Sequence, residues 1–409
     1  MKNIESVVKS NLCLGCGFCT FRGNYKMEYN HSKGLYLPKK TGDSNHLDWE
    51  ICPAKGYTIK QTSAQLYTQN AQYSIDLGYI NKQYVVSSKS ERILQNASSG
   101  GIMTQIALFL LKEKIVDYVV VTKFIYSENG IKTKTFFTND INEIFEAQGS
   151  KYCPVNMDYF ISEIGKYKFH KFAFFGTPCQ IAAIREIQRN DPHIAKNLLF
   201  TVGNFCGGVK NYNNIKKLAQ RNKLDYENIK YFRFRGGGQP GSLLMVDKHG
   251  NSSQTNYPLY VGYTGYSKLL RCHLCVDATA ELADISCGDA WLDSYMEDFR
   301  PWSVIISRNK KATEIINMLE SQQKIIIREI SKEEISKSQN QNLKSKKYRY
   351  LSRNNLYRFL GYKLPDFDGG YHNIDFPLKK EIKIYLIHKL KELLEKIGLY
   401  GFVRNIIKK

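Results

Sequence analysis

The chain has 409 residues, 43% hydrophobic and 24% charged, a make-up that fits two or three folded domains and excludes a mainly disordered protein. Its 59 Lys and Arg against 38 Asp and Glu leave a formal charge of +21, and its ten cysteines are too sparse for a disulfide-stapled scaffold. The opening MKNIESVVKSN lacks the apolar core of a signal peptide, and no run of about 18 apolar residues marks a membrane span, so a cytoplasmic chain with reduced, ligating thiols is expected.

The first segment carries Cys13-Leu-Gly-Cys16-Gly-Phe-Cys19. Three thiols at this spacing on a tight loop can wrap three corners of an iron–sulfur cubane, and Gly15 and Gly17 let the backbone turn and aim amides at sulfur. The fourth cysteine of a bacterial ferredoxin run is absent, since position 23 is Gly, but Cys52-Pro53 can supply it from a distance. Cys13, Cys16, Cys19 and Cys52 are therefore read as one 4Fe–4S site within a ferredoxin-like module over residues 1–62. A zinc knuckle is the competing reading, though zinc sites favour two separated C-x2-C pairs.

From about residue 98 helices and strands alternate. Ser98-Ser99-Gly100-Gly101 precedes a helical IMTQIALFLLKEK, then IVDYVVVTKF reads as a strand. KFAFFG is a buried strand, TPCQIAAIREIQ an amphipathic helix, and LLFTVGNF another strand. The pattern predicts an α/β (α+β) core with a mixed, largely parallel sheet. Residues 231–265, rich in Gly and Pro, read as hairpins and loops.

Cys179 sits at a strand–helix joint and Cys206 at a strand end. Cys272 and Cys275 form a C-x2-C pair, with Cys287 further on. Strand ends of a parallel sheet converge on one edge, so four of these thiols can meet. Spacing alone leaves open whether they hold a second cluster or a structural zinc.

Residues 340–409 read as a basic helical extension: from Gln341 on there are 16 Lys and Arg against 6 Asp and Glu. Over 379–409, Leu386, Leu390, Leu393, Leu394 and Ile397 fall on one helical face. A packed helix with a solvated lysine face is the plainer reading. The other is peripheral contact with an anionic inner membrane surface. The charge of +21 also raises a zinc-containing nucleic-acid-binding protein as an alternative function, but the basic residues concentrate in this tail and no nucleic-acid motif is recognised, so nucleic acid is not the expected partner.

Several segments together resemble one family, the coenzyme F420 hydrogenase/dehydrogenase beta subunits. They are Ala97-Ser-Ser-Gly-Gly101, Gly149-Ser-Lys-Tyr152, Phe174-Phe-Gly-Thr-Pro-Cys-Gln-Ile181, Asn204-Phe-Cys-Gly-Gly-Val209, Phe232-Arg-Phe-Arg235, Cys272-His-Leu-Cys275 and Ala283-Asp-Ile-Ser-Cys-Gly-Asp-Ala-Trp291. Their order matches the family over about residues 75–325. The resemblance implies an oxidoreductase with FAD and two 4Fe–4S clusters, using coenzyme F420 or another hydride carrier and a redox partner protein or small electron carrier. Relatives encoded in surface-polysaccharide clusters suggest that setting, or direct reduction of a sugar- or polyprenol-linked substrate. Carried over, Cys179, Cys206, Cys272 and Cys275 become the core ligands. Ser99, Gly100, Gly101, Ser150, Lys151, Gly176, Thr177 and Pro178 would lie near the flavin. Cys153 has no implied role, and Cys287 is an alternative ligand to Cys179 or Cys206.

Overall fold

The computed structural model describes residues 1–43, 46–69, 71–127, 130–261, 267–374, 376–397 and 399–400. Its centre is an eight-stranded sheet. The strands are β1 (Lys82–Ser88), β2 (Tyr118–Ser127), β3 (Gly130–Thr138), β4 (Phe172–Gly176), β5 (Leu198–Asn204), β6 (Ile285–Asp289), β7 (Ser303–Ser307) and β8 (Ile325–Glu329), in the spatial order β8-β1-β7-β6-β5-β4-β2-β3.

The sheet is mixed. The contiguous strands β6, β5, β4 and β2 run parallel. β7, β8 and β3 run against their neighbours, and β1 returns to the parallel direction, so five of the eight strands point one way.

Alternation along β4 shows why both faces are covered. Phe172 and Phe174 face one cluster with Ile181 and Ile184. Ala173 and Phe175 face the other with Ile106 and Ile316. The first cluster is roofed by α3 (Asp158–Tyr167) and α4 (Pro178–Asn190). The second is roofed by α1 (Ile102–Lys112) and α5 (Lys310–Ser321). A short helix α2 (Ile141–Glu146) follows β3. The result is a three-layer α/β core, as the apolar strands between amphipathic helices predict.

The Gly- and Pro-rich stretch forms a three-stranded antiparallel sheet from Ile229–Arg233, Ser242–Asp247 and Ser252–Asn256. Residues 262–265 of the expected hairpin region lie outside the described residues.

The N-terminal segment pairs Tyr25–Asn30 with Leu35–Lys40 as a hairpin and packs its cysteine loop on the core. The C-terminal extension supplies α6 (Tyr350–Phe359) and α7 (Leu378–Lys396). Asp366–Phe367 pairs in parallel with Gly56–Tyr57. Gly56 has φ +100°, and a Cβ there would stand 1.7 Å from the Asp366 carbonyl oxygen, so only glycine permits this pairing.

The expectation that α7 buries its leucines is not met. The side facing the protein carries Glu381, Tyr385, His388 and Glu395. Glu381 pairs with Arg349, Tyr385 meets Tyr357, His388 meets His273 edge to face, and Glu395 pairs with Lys217 at 2.7 Å. Leu386, Leu390, Leu393 and Ile397 are more than half exposed, and Leu394 is half-buried. The polar seam recurs at helical spacing and takes the packed side, which turns the aliphatic band outward. Residues 401–409 of the expected helix lie outside the described residues.

Candidate functional site

The C-terminal ends of β4, β5 and β6 open onto a cavity of about 640 Å³, where open parallel sheets receive ligands. Of the residues expected near a flavin, Ser99, Gly101, Ser150, Lys151, Gly176 and Thr177 line this cavity. Gly100 and Pro178 are not on its wall. A Cβ at Gly100 would stand 2.3 Å from the Val86 carbonyl oxygen, so its glycine serves a close crossing over the sheet edge. Pro178 is buried at the first turn of α4, where its fixed φ suits a helix start. Thr177 and Gln180 close a capping box over that turn, which leaves the Cys179 side chain at the helix N-terminus.

Lys151 does not reach freely into the cavity. Its ammonium donates to the carbonyls of Ala147, Gln148 and Gly149 just past α2. Burial pulls it down to about 7.

The strongest polar feature of the wall went unassigned in the sequence. Arg235 is 2% exposed. It donates to the Asp289 carboxylate (2.6 Å), the Tyr152 hydroxyl (3.1 Å), the Ser98 carbonyl (2.7 Å) and the Pro240 carbonyl (2.7 Å). Its guanidinium also lies over the rings of Tyr257 and Trp291, which stack on each other at 5.5 Å. Both aromatics line the cavity, as does Asp289. The signal was present, since Arg235, Tyr152 and Asp289 all lie in the quoted segments, but a motif does not say that its members meet. Trp302 is a core residue. Asp284 pairs with buried Arg185 at 2.9 Å and accepts from Thr201, a structural role.

The eight expected ligand thiols fall into two neighbouring groups. In the first, burial together with Cys52, Cys13 and Cys179 pushes the Cys16 thiol well up, and burial with Cys16, Cys52 and Cys13 does the same to Cys19. Burial pushes Cys13 up to about 12 although the Gly15 amide points at its sulfur at 3.4 Å. Burial also raises Cys52, against the amides of Ala54 and Lys55. The loop is seated by the Met157 amide, which donates to the Cys16 carbonyl at 2.8 Å.

In the second group, burial pushes Cys179 up to about 12, with Cys206 and Cys272 adding to it. Cys206 is positioned by its amide on the Ala278 carbonyl and receives the Gly208 amide on its sulfur at 3.3 Å. Burial disfavours the Cys275 thiolate too, but Lys346 and Arg271 outweigh it and hold this thiol below its ordinary value. Arg271, fully buried beside Cys272, donates to the Ala54 carbonyl at 3.0 Å and the Pro53 carbonyl at 2.8 Å. It thereby ties the C-x2-C turn to the loop after Cys52.

Cys287 and Cys153 stand apart from both groups. Cys287 sits in β6 among Ile285 and Ile305, and Cys153 in the cluster under the three-stranded sheet. His273 turns toward His388, away from the thiols it separates in sequence. Among the described residues, no three His, Cys, Asp or Glu side chains are arranged to hold a metal ion. A four-iron cubane spreads its ligands more widely than a single ion. The two groups of four thiols, with amides on their sulfurs and cations beside them, could hold such clusters.

Comparison with known proteins gives the family. Residues 83–162 match the model for the coenzyme F420 hydrogenase/dehydrogenase beta subunit N-terminus, and 169–333 match that for its C terminus. A coenzyme F420-dependent sulfite reductase of Methanocaldococcus jannaschii is 22% identical over 80% of this chain, which spans 49% of the reductase's length. A coenzyme F420 hydrogenase subunit beta of Methanococcus voltae is 25% identical over 58% of this chain and 81% of the subunit. A chain of the F420-reducing [NiFe] hydrogenase complex of Methanosarcina barkeri shares the fold, with TM-score 0.56 and 19% identity, covering 72% of this chain and 98% of that one. With the two family models together spanning more than half of its residues, the chain belongs to the coenzyme F420 hydrogenase/dehydrogenase beta subunit family.

Proposed function

We propose that this chain is an oxidoreductase passing electrons between a hydride carrier, an FAD in the cavity and two 4Fe–4S clusters. Cys13, Cys16, Cys19 and Cys52 hold one cluster, and Cys179, Cys206, Cys272 and Cys275 hold the other. The observation that carries this reading is the double position of Cys206: it lines the cavity and belongs to the second thiol group. Cys179 in turn packs against the same two apolar clusters as Cys16. The cavity, the core thiols and the N-terminal thiols thus form a continuous series.

A flavin takes two electrons as a hydride, and iron–sulfur clusters pass them singly. The chain's own groups would set the binding. Gly101 and Gly176 allow close backbone approach, and Arg235 fixes the aromatic wall. Coenzyme F420 is the carrier that the relatives' names support. The hydrogenase relatives are subunits by name, which favours a protein partner for the onward electrons. The outward aliphatic band of α7, interspersed with Lys379, Lys380, Lys383, Lys389 and Lys391, suits an anionic bilayer surface.

Anaerobic purification tests the reading. Flavin bands with cluster absorption and about eight irons per chain support it. Stoichiometric zinc without colour would sink it. Reoxidation by a panel of acceptors separates a protein carrier from direct reduction of a sugar- or polyprenol-linked substrate.

A further inference from the structure

Residues 340–359 lie beyond both family-matched segments, yet they form one wall of the core thiol group. Lys344–Tyr348 make a π-helical turn that carries two consecutive buried lysines, Lys346 and Lys347. Lys347 anchors the turn. It pairs with buried Glu281 and donates to the carbonyls of Ile75 and Gly370 at 2.8 Å each.

Lys346 points the other way. Its ammonium, 3% exposed, donates to the Asp277 carbonyl at 2.6 Å, and the Cys275 sulfur lies 3.7 Å from that same oxygen. The groups whose charges it feels include Cys275, Cys206 and Cys272. Arg353, on α6, is 4% exposed. It donates to the Ser345 carbonyl at 2.7 Å, but its Nε and Nη2 are buried without a hydrogen-bond partner.

Leaving two guanidinium nitrogens unsatisfied in the interior is costly unless a negative charge lies nearby. The acids facing this wall are few. Asp277 turns its carboxylate to the Tyr57 hydroxyl and the Glu281 amide, and Glu381, paired with Arg349, acts on Arg353 more strongly than the Cys275 thiolate does, so Lys346 is the cation turned most directly to the thiols. On the core side, Arg271 is buried, and Lys268 stands against Gly208 beside Cys272. Cations therefore outnumber carboxylates around the four thiols. A cluster with four thiolates carries net negative charge that differs by one unit between its oxidised and reduced forms.

We propose that Lys346 and Arg353, delivered by the C-terminal extension, are the counter-charge of the core cluster and set its reduction potential. Neither side chain lines the cavity, so both would act on the cluster through charge alone. This inference rests on the reading that the core thiols hold a cluster. A fixed cation favours the more negative, reduced form, so removing it shifts the potential to more negative values.

The test is a redox titration of the anaerobically purified full-length chain, followed by electron paramagnetic resonance. Lys346→Met should shift the core-cluster midpoint negative and leave the N-terminal signal in place, while Lys346→Arg keeps the wild-type midpoint. Loss of core iron in Lys346→Met that Lys346→Arg restores also supports a charge role. An unchanged midpoint in Lys346→Met with full iron overturns the inference, as does a Lys346→Arg variant that behaves like Lys346→Met. If Lys346→Met does not fold, Arg353→Gln decides by the same shift or its absence. A wild-type chain without core-cluster iron fails the cluster reading itself, an outcome distinct from an unmoved midpoint.

Discussion

Arg271 holds Pro53 across the gap between the two cysteine groups, its guanidinium 2.8 Å from the proline carbonyl, and reaches Ala54 as well. The residue before one candidate ligand, Cys272, thus fixes the residue after another, Cys52. Arg271→Met removes both charge-assisted bonds: the Ala54 carbonyl loses this donor, and the Pro53 carbonyl keeps only the Gly56 amide. It should cost about 3 kcal/mol in chemical denaturation and lower iron retention at the N-terminal group. Equal iron in variant and wild type would mean that the clasp is not needed to hold that group together.

The thiol assignment divides the ten cysteines by position. Cys16→Ser should remove about four irons per chain and leave the flavin bound. Cys153→Ser and Cys287→Ala, outside both groups, should leave iron content unchanged. Iron analysis against protein concentration checks all three.

Arg235 is the hub of the cavity wall. Arg235→Met strands Asp289 and releases Tyr152, and breaking a largely buried pair costs about 3–5 kcal/mol. Flavin retention through gel filtration should fall with it. Asp289→Asn keeps one acceptor for Arg235 and should lose less on both measures.

Lys151 gives a pH signature. Its folded value of about 7 lies below its ordinary 10.5, because burial disfavours the charged form. Between these values the unfolded chain binds more protons, so the stability of the cofactor-free protein should rise as pH rises from about 7 toward 10.5. Below about 7 the penalty is fully present. Lys151→Met should flatten that part of the profile, measured as denaturation midpoints.

The outward leucines of α7 can be changed without touching its docked seam. Leu386→Gln, Leu390→Gln and Leu393→Gln together should abolish partition onto anionic vesicles and leave the melting temperature unchanged. Equal partition of variant and wild type would remove the proposed membrane contact.

Much of the core was legible in the sequence, because strands such as FAFFG and helices such as TPCQIAAIREIQ carry clear periods and a capping box. The cysteine-bearing segments stand out in the sequence too, since ligand chemistry concentrates in few residue types. The segment that carries Arg235 is visible in the sequence, but the meeting of Arg235 with Asp289 and Tyr152 is not, because nothing in a Gly-rich stretch says which distant residues close on it. The docking side of α7 departs from its sequence pattern for a related reason. Amphipathicity shows which residues share a face but not which face finds partners, and here Arg349, Tyr357 and His273 took the polar one. Lys346 offered least of all, because in sequence it is one lysine in a basic tail.

The parallel pairing of Asp366–Phe367 with Gly56–Tyr57, and the insertion of Lys346 beside Cys275, set an order of events during synthesis. The ribosome delivers every candidate ligand long before it delivers the strand and the turn that close over them. Iron loading that depends on the closed pocket must therefore follow release of the C-terminal extension, and a ribosome stalled before residue 346 would display a thiol set open to solvent and oxidants.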